Sequence, residues 1–226
     1  MKNYSVQPVT YDETKSWLLH RHYAKRMPPI SYAFGLFDGA DLIGIVTYGV
    51  PSSSPLRAGL CGTEMINRVL ELNRLVCNSD QKNTASRLVG GSLRLLPTPS
   101  IVVSFADTEQ GHIGYIYQAT NFIYTGLSAK RTNWKIKGME HLHGATIADK
   151  SRGQESRADY MRQTYGDDFY LQDRPRKHRY IYFIGTKRQK KEMLAKLRYP
   201  ILPYPKGETR RYEVPETQER QLRLFA

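Results

Sequence analysis

Asp107 and His112 stand five residues apart, just after an apolar run at Ile101–Phe105 that reads as a buried strand. A carboxylate and an imidazole at a strand end can divide proton-transfer work, and strand ends are where α/β folds commonly place their ligands. Asp107 can equally cap the helix that follows, leaving His112 as a loop residue. His22 and Tyr23 close the segment HRHY. Histidine relays protons near neutral pH, and tyrosine stacks on rings or donates a hydrogen bond. Read plainly, the pair is a helix-end histidine beside a packed tyrosine. Together, His22, Asp107 and His112 also make two imidazoles and one carboxylate, a set that non-haem iron uses. Spacing alone does not establish such a site, and the base expectation is no metal.

Arg74 interrupts the strand-like run Val69–Cys77, VLELNRLVC. A guanidinium there needs a partner, and the nearest carboxylate is Glu71. A spacing of three puts those two side chains on opposite faces of a regular strand, so Arg74 points toward a ligand or a distant carboxylate.

The elements that would position these groups follow from pattern. Thr14–Tyr23 reads as an amphipathic helix, ended by Pro28 and Pro29. Ser31–Phe37 and Asp41–Gly49 flank Asp38-Gly39-Ala40 as a hairpin. Residues 50–63 are rich in Pro, Ser and Gly and read as a loop. A helix is expected from Thr84 to Leu96, then the Ile101–Phe105 strand and a helix over Gly114–Tyr124. Strands follow at Leu127–Arg131 and Arg179–Gly185, and a basic helix at Lys187–Leu197. This order predicts a mixed α/β (α+β) fold with a partly antiparallel sheet. It excludes a dinucleotide-binding fold, because neither a second βαβ series nor a glycine-rich phosphate motif is present.

The chain has 226 residues and a formal net charge of +13. That charge is lopsided: residues 1–129 hold 11 Lys+Arg and 9 Asp+Glu, whereas residues 130–226 hold 23 and 12. Arginines there alternate with rings, as in Arg131 with Trp134 and Arg179 with Tyr180. Phosphate contact combined with base stacking uses that mixture, so a nucleic acid is the expected partner; the plain alternative is a solvated basic face. Lys130, Arg131, Arg179, Lys187 and Arg188 are the expected DNA contacts. Cys61 and Cys77 give no disulfide framework or metal spacing. With no apolar span or signal segment, a cytoplasmic protein with no membrane role is expected.

The order of elements resembles the GNAT acyltransferase fold: a hairpin feeding a strand, then a polar turn, helix, strand and helix. In that fold the polar turn and helix start hold the pyrophosphate of acyl-CoA. The matching positions are Gln81-Lys82-Asn83-Thr84-Ala85-Ser86. The resemblance makes Arg74, Gln81, Thr84 and Ser86 the donor-binding candidates. Thr84 stands where the family has glycine, which narrows the approach and disfavours glycine's backbone angles. A closer resemblance runs through HYAKRMP, FGLFDGADLIGIVTYG, LELNRLV, NTASRLVG and SFADTEQGHIGYIYQATNFIYTG. In order and spacing, these segments are similar to the Mom family of phage DNA-modification proteins.

That resemblance implies a GNAT-like transferase that converts the N6 amine of adenine in DNA to N6-carbamoylmethyladenine, shielding the phage genome from host restriction. The alternatives are a conventional GNAT N-acetyltransferase on a protein or small molecule, or a non-catalytic DNA-binding protein. The implied catalytic set is Asp107, His22, Tyr23 and Tyr117, with Tyr115 the rival of Tyr117. Double-stranded DNA with a flipped adenine is the implied partner. The donor is acetyl-CoA or a glycine-derived molecule such as an aminoacyl-tRNA, with iron as a further option. Residues 1–185 are expected to form the catalytic domain, and residues 186–226 a basic helix and Pro/Arg-rich tail.

Overall fold

The computed structural model describes residues 3–78, 82–142 and 144–207. Its chain begins with strand β1 (Tyr4–Pro8), helix α1 (Tyr11–Ser16) and a π-helical turn at Trp17–Arg21. Next come strands β2 (Tyr32–Asp38) and β3 (Asp41–Gly49), joined at Gly39 with φ +63°. Helix α2 (Ser54–Cys61) and a 3₁₀ turn (Thr63–Arg68) lead into β4 (Val69–Cys77), α3 (Thr84–Leu93) and β5 (Ser100–Asp107). After a 3₁₀ turn at Thr108–Gln110 come α4 (Tyr115–Ala119), β6 (Ile123–Leu127) and β7 (Arg131–Ile136). Helices α5 (Gly144–Asp149) and α6 (Arg157–Tyr165) then precede β8 (Phe169–Arg174), β9 (Lys177–Ile184) and α7 (Lys187–Ala195).

Seven strands form one sheet in the order β1-β2-β3-β4-β5-β9-β6. All neighbours are antiparallel except β4 and β5, so the expected mixed α/β sheet is observed. The parallel pair is short, running only from Val69↔Ile101 to Leu72↔Ser104. Beyond Leu72 the two strands part, and that gap is the structural origin of the cleft described below.

Each sheet face buries its own apolar cluster. Leu72, Val102 and Tyr180 pack with Leu88, Val89 and Leu93 of α3 on one side. Val69, Ile101, Val103 and Ile181 pack with Leu60 of α2 and Met193 of α7 on the other. Truncating any of these side chains to alanine would cost about 2–5 kcal/mol, which is why two helical layers suffice to fix the sheet. Beyond α7, Leu202 N–H donates to Tyr124 O (3.0 Å) and Tyr204 OH to Phe122 O (2.7 Å). Residues up to 207 therefore strap the edge strand β6.

Several boundaries differ from expectation for physical reasons. The Pro-Ser-Gly stretch holds α2, because Ser53 caps it (Leu56 N–H to Oγ, 3.3 Å) and Pro55 sits in the first turn, where a missing N–H costs nothing. The expected first helix begins earlier, set by a capping box in which Glu13 accepts from Thr10 N–H (2.6 Å), and its last turn, Trp17–Arg21, is π-helical. The expected Gly114–Tyr124 helix stops at Ala119, because residues 123–127 leave it to pair with β9. Thus β6 ends at Leu127 and β7 begins at Arg131, and Lys130 lies between two strands rather than within one. The edge strand β1 is an element that the sequence pattern did not suggest.

Residues 131–174 form a separate small unit. Strands β7 and β8 make a two-stranded sheet, and Ile136, Ile147 and Met161 form its own buried cluster.

Candidate active site

Where β4 and β5 part, a cleft of about 1020 Å³ opens. Its walls come from the end of the first helical segment (His22, Tyr23), from β4 (Glu71 to Leu75), from the turn before α4 and from the start of β9. The decisive local feature is a bulge in β4. Thr47 pairs with Arg74 but Tyr48 pairs with Leu72, so Asn73 is an extra residue. Its side chain is pinned on both sides, accepting from Thr47 Oγ1 (2.7 Å) and donating to Pro29 O (2.8 Å).

That bulge reverses the strand's alternation. Leu70, Leu72 and Leu75 all meet the same core cluster, while Glu71 and Arg74 both line the cleft. The spacing argument for opposite faces is corrected here: it holds for a regular strand, and this strand is not regular. The side chain of Glu71 has no hydrogen bond or ion pair with a described residue. Burial pushes its carboxyl above the usual value of 4.5, against the lowering pull of Arg74 and then Lys177. Arg74 donates from Nη1 to Asn73 O (2.7 Å), while its Nε–H is buried without a partner among the described residues. An unsatisfied buried donor costs about 1–3 kcal/mol, a cost that a bound carbonyl or anionic group would remove.

The expected catalytic residues converge, but not equivalently. His22 is buried, and its Nδ1 accepts from Ala24 N–H (3.0 Å). That bond assigns the neutral ring's proton to Nε2. Burial, then the charges of Arg74 and His112, lower its pKa to about 4. His22 is therefore a neutral donor near pH 7 rather than a proton relay. Tyr23 stacks on His22 (centroids 4.4 Å apart) and meets His112 edge-on (6.2 Å). Tyr117 lies deep in the cleft against Tyr180 and Phe122, and burial pushes its hydroxyl up to about 12. Tyr115 also lines the cleft but is 60% exposed, so Tyr117 is the more enclosed of the two.

Asp107 is buried but already occupied. Its Oδ2 accepts from Lys177 Nζ (2.5 Å) and its Oδ1 from Glu109 N–H (3.1 Å), capping the 3₁₀ turn. Lys177 lines the cleft, whereas Asp107 does not. The iron set does not assemble: no group of three His, Cys, Asp or Glu among the described residues lies close enough to hold a metal. Asp107 and the Nδ1 of His22 are engaged elsewhere, so these residues do not fit an iron ion.

At the other end, Lys82 and Asn83 line the cleft at the start of α3. The left-handed residue is Asn83 (φ 68°), not Thr84, so the strain expected from a β-branched residue does not arise. Thr84 is buried, and Ser86 Oγ donates to Asn83 O (3.1 Å). The side chain of Asn83, at the N-cap of α3, makes no capping hydrogen bond. Gln81 lies outside the described residues.

Charge dominates the lining. Among the described residues that wall the cleft, Arg74, Lys82, Arg131, Arg174, Lys177 and Arg179 are cationic, and Glu71 is the one carboxylate. Of the expected DNA contacts, Arg131 is at the cleft, while Lys130 is exposed beside it. Arg179 spends its donors on Thr125 (Nε to Oγ1, Nη2 to O, both 2.9 Å) and stacks on Tyr199 at 3.5 Å. Lys187 and Arg188 are exposed in the first turn of α7, outside the cleft and at the helix end where cations gain nothing from the dipole.

The turn before α4 depends on Gly114, whose φ is +81°. A Cβ there would collide with the Tyr180 ring, whose hydroxyl donates to Ile113 O. Gly114→Ala is expected to destabilise the protein by about 1–3 kcal/mol, through strain and a displaced tyrosine. Denaturant unfolding checks this: an unchanged midpoint would mean that the turn relaxes freely.

The Mom protein family matches residues 3–206. The chain is 31% identical over 215 residues to the methylcarbamoylase Mom of Escherichia phage Mu, covering 90% of this chain and 86% of that protein. The chain belongs to the Mom family. Because the family match spans both the cleft and the β7–β8 unit, both are parts of one Mom-family protein. Among solved structures, a GNAT-family acetyltransferase from Bacillus cereus is similar at TM-score 0.42 and 11% identity, covering 80% of this chain and 97% of that one. A Bacillus subtilis acetyltransferase in complex with CoA is similar at TM-score 0.43 and 11% identity, covering 81% and 99%.

Among the charged cleft residues, Glu71, Lys82, Arg174 and Lys177 are those that the sequence did not single out as site groups. Glu71 was legible as a charge inside a strand, but the bulge that turns it and Arg74 into one cleft was not.

Proposed function

We propose that this protein transfers a carbamoylmethyl group to the N6 amine of adenine in DNA. Membership of the Mom family and the cationic cleft support this reading. The observation that carries it is Glu71, the one carboxylate lining the cleft among the described residues, whose side chain makes no ion pair with them. Adenine's exocyclic amine is a poor nucleophile because its lone pair is delocalised into the ring. A site acting on it must orient the amine, exclude water and take a proton as the new bond forms. Glu71 is the group free to take that proton.

The other residues then have separate tasks. Tyr23, 44% exposed at the mouth, offers a ring for a flipped base to stack on. Nε2–H of His22 donates to the base or to the donor's carbonyl. Tyr117, protonated throughout the physiological range, supplies a proton to the departing group. Asp107 positions Lys177, keeping it from neutralising Glu71. Arg74, Lys82 and the N-terminus of α3 suit the phosphates of a donor, with Ser86 and Thr84 shaping that turn. Coenzyme A thioesters and aminoacyl-tRNAs both carry such phosphates. Acetyl-CoA lacks the amide nitrogen, whereas a glycine ester carries both carbons and the nitrogen. Plain acyl transfer from that ester would give the isomeric N6-glycyl adduct. The carbamoylmethyl product therefore requires the N6–Cα bond to form as the Cα–N bond breaks, and that nitrogen to displace the alcohol from the carbonyl, the alcohol leaving with the proton. Lys130, Arg131 and Arg179 flank the DNA path, and Lys187 and Arg188 would meet only a more distant phosphate. The product would protect phage DNA from host restriction.

Mass analysis of nucleosides from cells expressing the protein tests this directly. Deoxyadenosine heavier by one carbamoylmethyl group is expected. Unaltered deoxyadenosine alongside soluble protein would remove the proposal.

A further inference from the structure

The β7–β8 hairpin has two unlike faces. Trp134, Ile136 and Phe169 turn toward the unit's own core. Alternation along each strand puts Arg131, Asn133 and Lys135 on the other face, and the register sets them opposite Arg174, Gln172 and Tyr170. That face holds three cations, two amides and one phenol, with no carboxylate.

Its base is electrostatically costly. Arg131 is paired directly across from Arg174, and like charges in that position destabilise a ladder. Three other cations of the unit are neutralised locally: Lys137 by Asp168, Arg152 by Asp149 and Arg162 by Asp159. Arg131 and Arg174 form no ion pair with a described residue, and both line the catalytic cleft. The ribbon face and the cleft are therefore one continuous cationic surface. A polyanion spanning both would supply the charges that this hairpin lacks.

We propose that the β7–β8 ribbon lies in the major groove beside the flipped adenine and reads the flanking bases. The inference rests on the DNA-adenine reading above and adds how the surrounding sequence is chosen. The major groove, about 12 Å wide, admits a two-stranded ribbon. A six-residue strand is roughly 20 Å long, enough to follow several base steps. Arg131 and Arg174 contact the backbone next to the extruded nucleotide. Gln172, exposed near the base of the ribbon, reads a base edge, since side-chain amides pair bidentately with adenine. Asn133 lies opposite it but packs against Gly144, so it has less freedom to do so.

The test is modification of a duplex pool randomised on both sides of one adenine, by wild type, Gln172→Ala and the double variant Arg131→Ala/Arg174→Ala. Wild type is expected to prefer certain flanking bases. Gln172→Ala should lower that discrimination at one position by roughly 5- to 100-fold while leaving the unfolding midpoint in place. Replacing flanking purines by their 7-deaza forms, which lack the N7 acceptor, should weaken the wild-type preference in the same way. The double arginine variant should reduce the slope of log affinity against log salt by about two. Modification by wild type with unchanged flanking preference in Gln172→Ala overturns the ribbon reading alone. So does a loss in that variant confined to transfer-RNA binding, which would make the ribbon a donor contact. Absence of any DNA modification by wild type defeats the underlying function instead.

Discussion

Glu71→Gln is expected to lower the rate of adenine modification by roughly 100- to 10,000-fold, the range for losing a positioned general base. Glutamine keeps the shape and the hydrogen-bonding capacity but cannot accept a proton at neutral pH. The pH dependence gives an independent signature. Burial holds the folded-state pKa of Glu71 above 4.5, so the rate should rise with pH through a limb displaced above that value. Stability should move the opposite way. A carboxyl that binds its proton more tightly when folded stabilises the fold below its unfolded pKa, and that contribution fades as pH rises through the folded value. Near pH 7 the folded state therefore bears the full cost of an ionised, poorly solvated carboxylate. Glu71→Gln should be more stable than wild type at pH 7, and the two should converge near pH 4. An inactive variant that is also less stable at pH 7 would mean that Glu71 holds the structure rather than the proton.

Asp107→Ala should slow modification by roughly 10- to 100-fold, equivalent to a coupling of about 1.4–2.7 kcal/mol, within the range seen for residues in one charged network. The cause is indirect. Asp107 holds Lys177 at 2.5 Å, and Lys177 already lowers the proton affinity of Glu71. Released, that ammonium would turn toward Glu71 and weaken it as a base. The acid limb of the rate profile should accordingly shift to lower pH. Asp107→Ala/Lys177→Met removes the freed charge, and should recover part of the rate and return the limb upward. If the second substitution recovers nothing, Asp107 acts on the substrate itself and the positioning role is wrong.

The sequence exposed the frame well where pattern and periodicity agree. The β2–β3 hairpin around Gly39, the long strand with Arg74 and the buried strand ending at Asp107 were all legible. Their apolar runs report burial directly. The site was legible in membership more than in roles. His22, Tyr23, Tyr117 and His112 do meet in the cleft. Yet the hydrogen bond from Ala24 that makes His22 a donor, and the ion pair that occupies Asp107, are three-dimensional facts. The Asn73 bulge left the least trace. It depends on Thr47 and Pro29, distant in sequence, and without it a regular strand would turn Glu71 and Arg74 to opposite faces. The β7–β8 unit was missed for a different reason: its short strands are mostly polar, and its small core draws on helices between them.

The most direct test compares DNA from cells expressing wild type or Glu71→Gln at matched soluble levels, digested to nucleosides and analysed by mass spectrometry. N6-carbamoylmethyl deoxyadenosine is expected with wild type and should be nearly absent with Glu71→Gln. Equal amounts of that nucleoside from both would contradict the assignment of this cleft and its unpaired carboxylate to the reaction.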